Sequence, residues 1–521
     1  MTTFLLGIDQ GSSGSRAAVM NQNGDILGYG YRPLPRIHPH NGWVEQDPHQ
    51  LTLGVEQAIT EALAAANCRP ADILAVGIAG QRNTDFVWDA RTARPLANAI
   101  TWQDLRTAPL LAELEQWEHA AERRRRLGYF PGTWSSANHL AWRMRHQPAV
   151  IEAAWAGTLR IGFSANWLLE SLGRPAGHML DFGLVQQMGL FDFRAERYWS
   201  DWLAVLGVPL EPLPVPVPTV HYFGTLRLTG PAGDVADAPV LAVIGNEQAA
   251  LFGHQCYYPG DAECSHGTAS FVDVVVGDTP PEQEKLNVYY AWSFPAESPG
   301  RRGIGQPVGY PPPATRHPQH TFCLEADTTV SGAAIRWMKE EARLFDRDEE
   351  LSLLAASVPD SGGVVFVPAF TGLNVPHNDA AARGTILGLT LGSSRAHLAR
   401  AFLESLGYQI RGILETITAE TGLVVQQIST GGGIAASDIA CQIQADLTGI
   451  PTIRPAFTEL AVRAAALLAG LGAGTWPGVE DLPALPGTPI VFEPRLPADQ
   501  RDAGYTRWLA AVDRAKNWIS Y

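Results

Sequence analysis

The chain opens on an apolar run, Phe4–Ile8, that stops at Asp9 and gives way to a small-residue loop, Gln10–Ser15. A short apolar run bounded by turn formers reads as a buried strand. A second strand is expected over Arg16–Met20, followed by the hairpin signal Asn23-Gly24 and a third strand near Ile26–Tyr31. Helical periodicity then covers His49–Ala66, and another buried strand, Ile73–Ile78, delivers the polar cluster Gly80–Asp85. Strand and helix signals continue to Pro209–Pro218, where proline alternates with apolar residues. That segment cannot be helical and is expected to be an extended linker.

A fresh buried strand, Val240–Ile244, leads to Gly245-Asn246-Glu247-Gln248 and a helix through Leu251. Asp261–Val276 repeats the opening plan of strand, small hydroxyl-rich turn and strand, with Ser265-His266-Gly267-Thr268-Ala269-Ser270 at its centre. The echo is what a duplicated phosphate clamp would need. Gly277–His320 is rich in Pro, Gly and Arg and poorly patterned, so a long loop is expected there, either disordered or functional, such as a lid or subunit contact. From Ile413 a helix gives way to a strand, Val424–Ser429, then Gly431-Gly432-Gly433 and a helix with Ile439, Ile443 and Leu447 on one stripe. Interleaved strands and helices predict an α/β fold.

Composition bounds this picture. With 521 residues, of which 46% are apolar, the chain exceeds one ordinary core, and two domains are expected. Lys and Arg total 38 against 53 Asp and Glu, a net charge of −15, which argues against nucleic acid or an anionic membrane as the main partner. It leaves phosphate ligands open, because backbone N–H groups alone can bind them. The 5 cysteines are scattered without a Cys-x-x-Cys pair and read as reduced thiols of a cytoplasmic protein. Met1-Thr2-Thr3 lacks the basic region of a signal peptide, and Ala464–Gly474 is expected to be a packed helix and not a membrane span.

The densest chemistry lies in Asp9-Gln10-Gly11-Ser12-Ser13-Gly14-Ser15-Arg16. A carboxylate at a strand end can hold hydrated Mg²⁺, small residues let backbone N–H groups approach phosphate oxygens, and Ser hydroxyls and Arg16 add donors. An ordinary Gly/Ser turn has the same composition, and the Gly-Lys-Ser/Thr of a Walker A loop is missing. Gly267-Thr268 would form a matching cradle, or a tight hairpin. Gly431–Gly433 at a strand-to-helix junction lets a flat ring lie on exposed backbone, or simply supplies positive φ. His266 could contact phosphate or acceptor at the second turn, and equally could pack the hairpin.

With these pieces the chain resembles the FGGY carbohydrate kinases. The matching segments are Gly7-Ile8-Asp9-Gln10-Gly11, Asn41–Pro48, Gly80-Gln81-Arg82-Asn83-Thr84 and Ile100-Thr101-Trp102-Gln103-Asp104. Gly245–Gly253, Val367–Leu373, Ala382–Thr390 and the Gly431–Gly433 helix follow in family order. The resemblance implies two actin-like ATPase domains of ribonuclease-H type, 1–248 and 249–521, flanking a catalytic cleft, and Mg-ATP-dependent transfer of the γ-phosphoryl group to a hydroxyl. It implies that Asp9 and Gln10, Gly11, Ser12, Ser13 and Arg16 face Mg²⁺ and phosphates, with His266, Gly267 and Thr268 at the second phosphate loop. Gly332, Arg336, Gly432, Gly433 and Ser437 would lie near the nucleoside, and Arg82, Asn83, Trp102, Trp134, Asn246, Glu247 and Phe271 would line the acceptor pocket. The partner is then a small hydroxylated metabolite, and a homo-oligomer is compatible with the family.

Departures from the pattern fall in the acceptor site. Relatives that phosphorylate glycerol carry Arg-Glu where this chain has Arg82-Asn83, and Asp-Gln where it has Asn246-Glu247. The family Asp is the base that takes the hydroxyl proton, which an amide cannot do. Trp134 stands where a pocket Tyr is expected. Glu247 could serve as base from one residue along; the acceptor could be more acidic than glycerol, or anionic; or the site could be silent and bind nucleotide or metabolite without turnover. Elsewhere, Glu122-Arg123-Arg124-Arg125-Arg126 reads as a solvated helix face. His38, His40, His49, His317 and His320 read as loop histidines, and Trp142, Trp155, Trp167, Trp199 and Trp202 as core or interface.

Overall fold

The computed structural model describes residues 3–282, 285–296, 319–328 and 330–519. They form two compact units, Met1–Gly253 with Tyr289–Phe322 and Glu459–Ala484, and His254–Val288 with Cys323–Thr458 and Leu485–Tyr521.

The first unit is built on a seven-stranded sheet in the order Gly173–Pro175, Val220–Thr229, Val235–Gly245, Ile73–Gly80, Phe4–Gln10, Gly14–Met20 and Ile26–Pro33. The opening hairpin is antiparallel, whereas Phe4–Gln10, Ile73–Gly80 and Val235–Gly245 run parallel. Phe4–Gln10 and Ile73–Gly80 are almost continuously buried, as is the last of the three from Ala242 to Gly245, which is why they read as uninterrupted apolar runs. Helices cover both faces. Gly7, Ala18 and Tyr29 are cross-strand partners and share a face. The helix Leu460–Gly472 lies so close to that face that a Cβ on Gly7 would sit 2.0 Å from the Val462 carbonyl oxygen. Gly28 and Gly30 alternate with Tyr29 onto the other face, where the helix Pro48–Ala65 packs.

The plan repeats in another seven-stranded sheet, which runs Asn287–Phe294, Gln319–Asp327, Ser270–Gly277, Ala262–His266, Ile428–Gly432, Thr452–Arg454 and Ile490–Phe492, the last five strands belonging to the second unit. Again an antiparallel hairpin, Ala262–His266 with Ser270–Gly277, is followed by parallel neighbours. The helices Asp348–Ala356, Arg395–Thr421 and Asp438–Thr448 bury Leu351, Phe402, Leu406, Ile443 and Leu447 in one cluster.

Several expectations need correction. Pro209–Pro218 is no linker: Val215–Val217 pairs in parallel with Met179–Asp181, Tyr198 donates to the Pro214 carbonyl at 2.6 Å, and Leu213 and Val217 are buried. The expected loop Gly277–His320 contains the strand Asn287–Phe294 and the start of Gln319–Asp327. Its centre, 297–318 with His317, lies outside the described residues. The strand expected at Val424–Ser429 begins at Ile428 and runs to Gly432, leaving Val424 exposed. The basic run is not wholly solvated, since Arg123 is buried with its guanidinium over Trp202. Trp155 is 84% exposed and serves no core. Ala464–Gly474 is indeed a packed helix, and among the described residues no helix is long and apolar enough to cross a membrane.

Candidate functional site

Gln10, Gly80 and Gly245 are register neighbours on the parallel strands. The loops that follow these strands therefore leave from one edge of the first sheet, the carboxyl end, where α/β folds place ligands. That single edge collects Asp9–Arg16, Gln81–Thr84 and Asn246-Glu247.

Asp9 faces Arg16 across the hairpin, with Arg16 Nη1 donating to Oδ2 at 3.4 Å. The Nε of Arg16 pairs with Glu459 at 3.0 Å. Asp9 Oδ1 is buried and meets no partner. Burial pushes the Asp9 carboxyl up to about 6; Arg16 pulls it down, and the carboxylates of Glu459 and Glu247 push it further up. An orphaned, partly neutralised carboxyl at a strand end is a poor structural choice and a good cation ligand. The tip of the hairpin closes through the Gly11 N–H on the Gly14 carbonyl at 3.0 Å, leaving Ser12 half-buried and Ser13 exposed.

Buried amides tie this loop to the next. Gln81 Nε2 donates to Gln10 Oε1 at 3.0 Å and to Gln46 Oε1 at 2.8 Å, while Gln46 Nε2 donates to the Ser12 carbonyl at 2.9 Å. The Thr84 hydroxyl donates to Gln81 Oε1 at 3.1 Å. Immediately after, Asp85 is clamped by Arg143 and His139, both fully buried. Burial alone would raise the Asp85 carboxyl, but the Arg143 charge and the His139 bond outweigh it and hold it below its ordinary value. His139 Nε2 donates to the Thr133 carbonyl at 2.9 Å, which anchors the turn carrying Trp134.

Asn83, at φ 53°, sits between these anchors, and its Nδ2 donates to Gln187 Oε1 at 3.1 Å. The Tyr129 hydroxyl donates to the Gln187 carbonyl at 3.2 Å, and its ring lies 5.3 Å from both Trp134 and Tyr289. The Arg82 guanidinium lies 5.6 Å over the Tyr289 ring. Arg82, Asn83 and Trp134 thus share one wall with Gln187, Tyr129 and Tyr289. Asn246 Nδ2 donates to Glu247 Oε1 at 2.8 Å where strand turns into helix. Trp102 occupies the half-buried turn Thr101–Asp104, held by Asp104, which accepts from the Val44 N–H at 2.6 Å and pairs with Arg106.

In the second unit, glycines crowd the turn His266–Thr268. A Cβ on Gly332 would sit 2.5 Å from the Gly267 carbonyl oxygen, and one on Gly432, at φ 83°, 2.2 Å from that of His266. Ser331 and Ala333 donate their N–H groups to the Thr268 carbonyl, which fixes the turn on the helix Gly332–Glu340. Arg336 is exposed on that helix, and Phe271 lies on the outgoing strand. His266 turns its ring inward: Nδ1 bonds Ser270 at 2.7 Å and Nε2 bonds Gln444 at 2.9 Å, and burial lowers its pKa to about 4. A cavity of about 900 Å³ is lined by Gly433, Ser437, Ser352, Gln442, Phe492 and Arg495, among others. That is ample for a nucleoside.

The FGGY N-terminal domain profile matches residues 4–253 and the C-terminal profile matches 302–473, both described as an FGGY family of carbohydrate kinases. The chain belongs to this family. FGGY relatives include the glycerol kinase of Symbiobacterium thermophilum, 37% identical over 518 residues, covering 99% of each chain. Among solved structures, Plasmodium falciparum glycerol kinase with ADP superposes at a TM-score of 0.86 with 22% identity, covering 100% of this chain and 99% of that one. Rhodospirillum rubrum xylulose kinase reaches 0.80 with 23% identity, covering 97% and 98%. The repeated sheets are the actin-like ATPase domains of FGGY kinases.

Gln187, Tyr129, Tyr289 and Glu459 were not singled out from sequence. Gln187 sits in no motif, and Tyr289 lies in a segment expected to be loop. Glu459 directly precedes the helix Leu460–Gly472, and a carboxylate at a helix start is the one signal that could have marked it.

Proposed function

We propose that the protein is an ATP-dependent kinase that moves the γ-phosphoryl group to a hydroxyl of a small polyol, sugar or sugar-acid-like metabolite other than glycerol. The observation that carries this reading is Asp9: a buried strand-end carboxyl with an unmet Oδ1, beside Arg16 and a Gly/Ser turn. Those features fit Mg²⁺, which binds through few protein carboxylates and keeps its remaining positions for water and phosphate oxygens. When bound, the ion would neutralise charge on the transferring phosphoryl group. Gln10, Gly11, Ser12 and Ser13 would hold phosphate oxygens in the first unit; Gly267 and Thr268 would do so in the second. There His266, its ring turned inward onto Ser270 and Gln444, packs the turn and does not reach phosphate, and Gly332, Arg336, Gly432, Gly433 and Ser437 would frame the nucleoside.

Arg82, Asn83, Trp102, Trp134, Asn246, Glu247 and Phe271 would orient the acceptor. Glu247 is the base on this reading. Asn246 cannot accept the hydroxyl proton, but its amide donates to Glu247 Oε1 at 2.8 Å and so orients the neighbouring carboxylate. Exclusion of glycerol rests on the amides at 83 and 246 in place of family carboxylates.

The test follows ADP release from Mg-ATP against glycerol, xylitol, D-xylulose and D-gluconate, in the native protein and in Glu247→Gln. The expected result is acceptor-dependent release with a member other than glycerol, reduced at least a hundredfold in the variant while ATP binding persists. Robust turnover of glycerol, or a fully active variant, contradicts the proposal. No ADP release with any acceptor, alongside measurable ATP binding, supports the catalytically silent alternative, which the loss of the family base at Asn246 favours.

A further inference from the structure

Asn83 and Gln187 share an unusual account of hydrogen bonds. Asn83 is 6% exposed and Gln187 1%, so neither is bathed by solvent. One bond joins them, Asn83 Nδ2 to Gln187 Oε1 at 3.1 Å. The remaining Asn83 Oδ1 and Gln187 Nε2 are both buried without a partner. Flipping both amides exchanges the atoms but not the count: one acceptor and one donor stay unmet. Leaving each unmet is costly in a buried setting, and such pairs persist where something else completes them.

A single hydroxyl, like a water in its absence, satisfies both, because it accepts from the donor while donating to the acceptor. A carboxylate cannot: it has no proton to give and would face the lone pairs of the unmet carbonyl. Neighbouring unmet groups are neutral as well. Ser135 Oγ and Asn138 Oδ1 are buried without partners, and Ser135 Oγ lies 2.7 Å from where a Cβ on Gly189 would stand, two residues past Gln187. The carboxylate of Asp85, two residues along the chain from Asn83, is consumed by His139 and Arg143. Positive charge sits elsewhere on the wall: the Arg82 side chain packs beside Gly245, its Cδ 3.4 Å from a Cβ placed there, and its guanidinium lies over Tyr289.

We propose that Gln187, paired with Asn83, is a specificity-determining residue that clamps one hydroxyl of an uncharged polyol or sugar and rejects a sugar acid at that end of the acceptor pocket. The proposal rests on the acceptor pocket assigned under the kinase reading and narrows its substrate class. A clamp made of amides also accounts for a missing carboxylate at Asn83, since Gln187 supplies the donor and Asn83 the acceptor without burying a charge.

The test measures acceptor binding separately from turnover, by intrinsic tryptophan fluorescence on the full chain with xylitol, D-xylulose and D-gluconate, alongside ADP release. Gln187→Leu is expected to weaken the preferred neutral ligand at least tenfold, raising KM with kcat within about threefold. Gln187→Glu, which keeps an acceptor for Asn83 but loses the donor, is expected to do the same and guards against a variant that fails to fold. D-Gluconate should bind the native protein at least tenfold more weakly than the best neutral ligand. Preference for D-gluconate, or unchanged neutral affinity in both folded variants, overturns the clamp. Failure of the kinase reading looks different: neutral ligands would still bind and depend on Gln187, but no phosphate would move.

Discussion

Asp9 shows how a single carboxyl can be expensive alone and useful with a partner. Its raised value, about 6, means that the folded chain holds the proton more tightly than the unfolded chain, whose ordinary value is 3.8. The stabilising contribution is therefore complete below 3.8 and is lost as pH rises through about 6, so the ligand-free protein carries a destabilising charge at neutral pH. Asp9→Asn is expected to raise the melting temperature of the ligand-free protein at pH 8 while abolishing tight Mg-ATP binding. In the native protein, Mg-ATP affinity should fall by up to about tenfold per pH unit below 6, in excess of the variant's slope, which isolates Asp9 from the nucleotide's own titration. Calorimetric titrations from pH 5 to 8 check both; identical slopes would remove Asp9 from the cation site. Asp9, Asn246 and Glu247 were legible because each follows an apolar run at a strand end, and Arg16 because it opens the next apolar run after a small-residue turn. Gln187 was not, because its role depends on an amide partner 104 residues away, a spacing no local pattern encodes.

Among the elements, the short helix Phe182–Gln187 has an importance its length conceals. It ends in Gln187 and begins at Asp181, whose carboxylate accepts from the N–H groups of Gly183 and Leu184 at 3.1 and 3.0 Å. Burial pushes the Asp181 carboxyl up to about 7, against the lowering pull of those bonds. The sign is that of Asp9: the contribution to stability is complete below 3.8 and lost as pH climbs through about 7. Asp181→Ala should lower stability by about 1 kcal/mol through the lost cap. Asp181→Asn keeps an acceptor and should flatten the pH dependence between 4 and 7, read from urea midpoints. A native-like pH profile in Asp181→Asn would contradict the assignment. The parallel strands were legible as apolar runs because both their faces are covered. Val215–Val217 and Asn287–Phe294 were hidden for opposite reasons: prolines mask the first, which sits at the border of a two-stranded sheet, and the Pro/Gly/Arg background of its neighbours masks the second.

At the scale of the whole molecule, each unit carries the same hairpin followed by parallel strands, and in each the turn of that hairpin bears the residues proposed to meet phosphate. The echo between Asp9–Arg16 and Ser265–Ser270 was visible in sequence because small turn residues between apolar strands leave a local signature. The way the chain builds the units was not: Glu459–Ala484 returns to the first unit and contributes both Glu459 and the helix that seals its sheet. Such a return is decided by close packing, here of Gly7 under Val462, and long-range packing leaves little trace in local composition. The central claim is that this repeated framework grips a magnesium-bound adenosine triphosphate. Isothermal titration of the full chain with ATP, with and without Mg²⁺, tests it most directly. The account predicts saturable one-to-one binding that requires Mg²⁺ for full affinity and is lost in Asp9→Asn; a folded protein that takes up no heat from ATP in the presence of Mg²⁺ would contradict it.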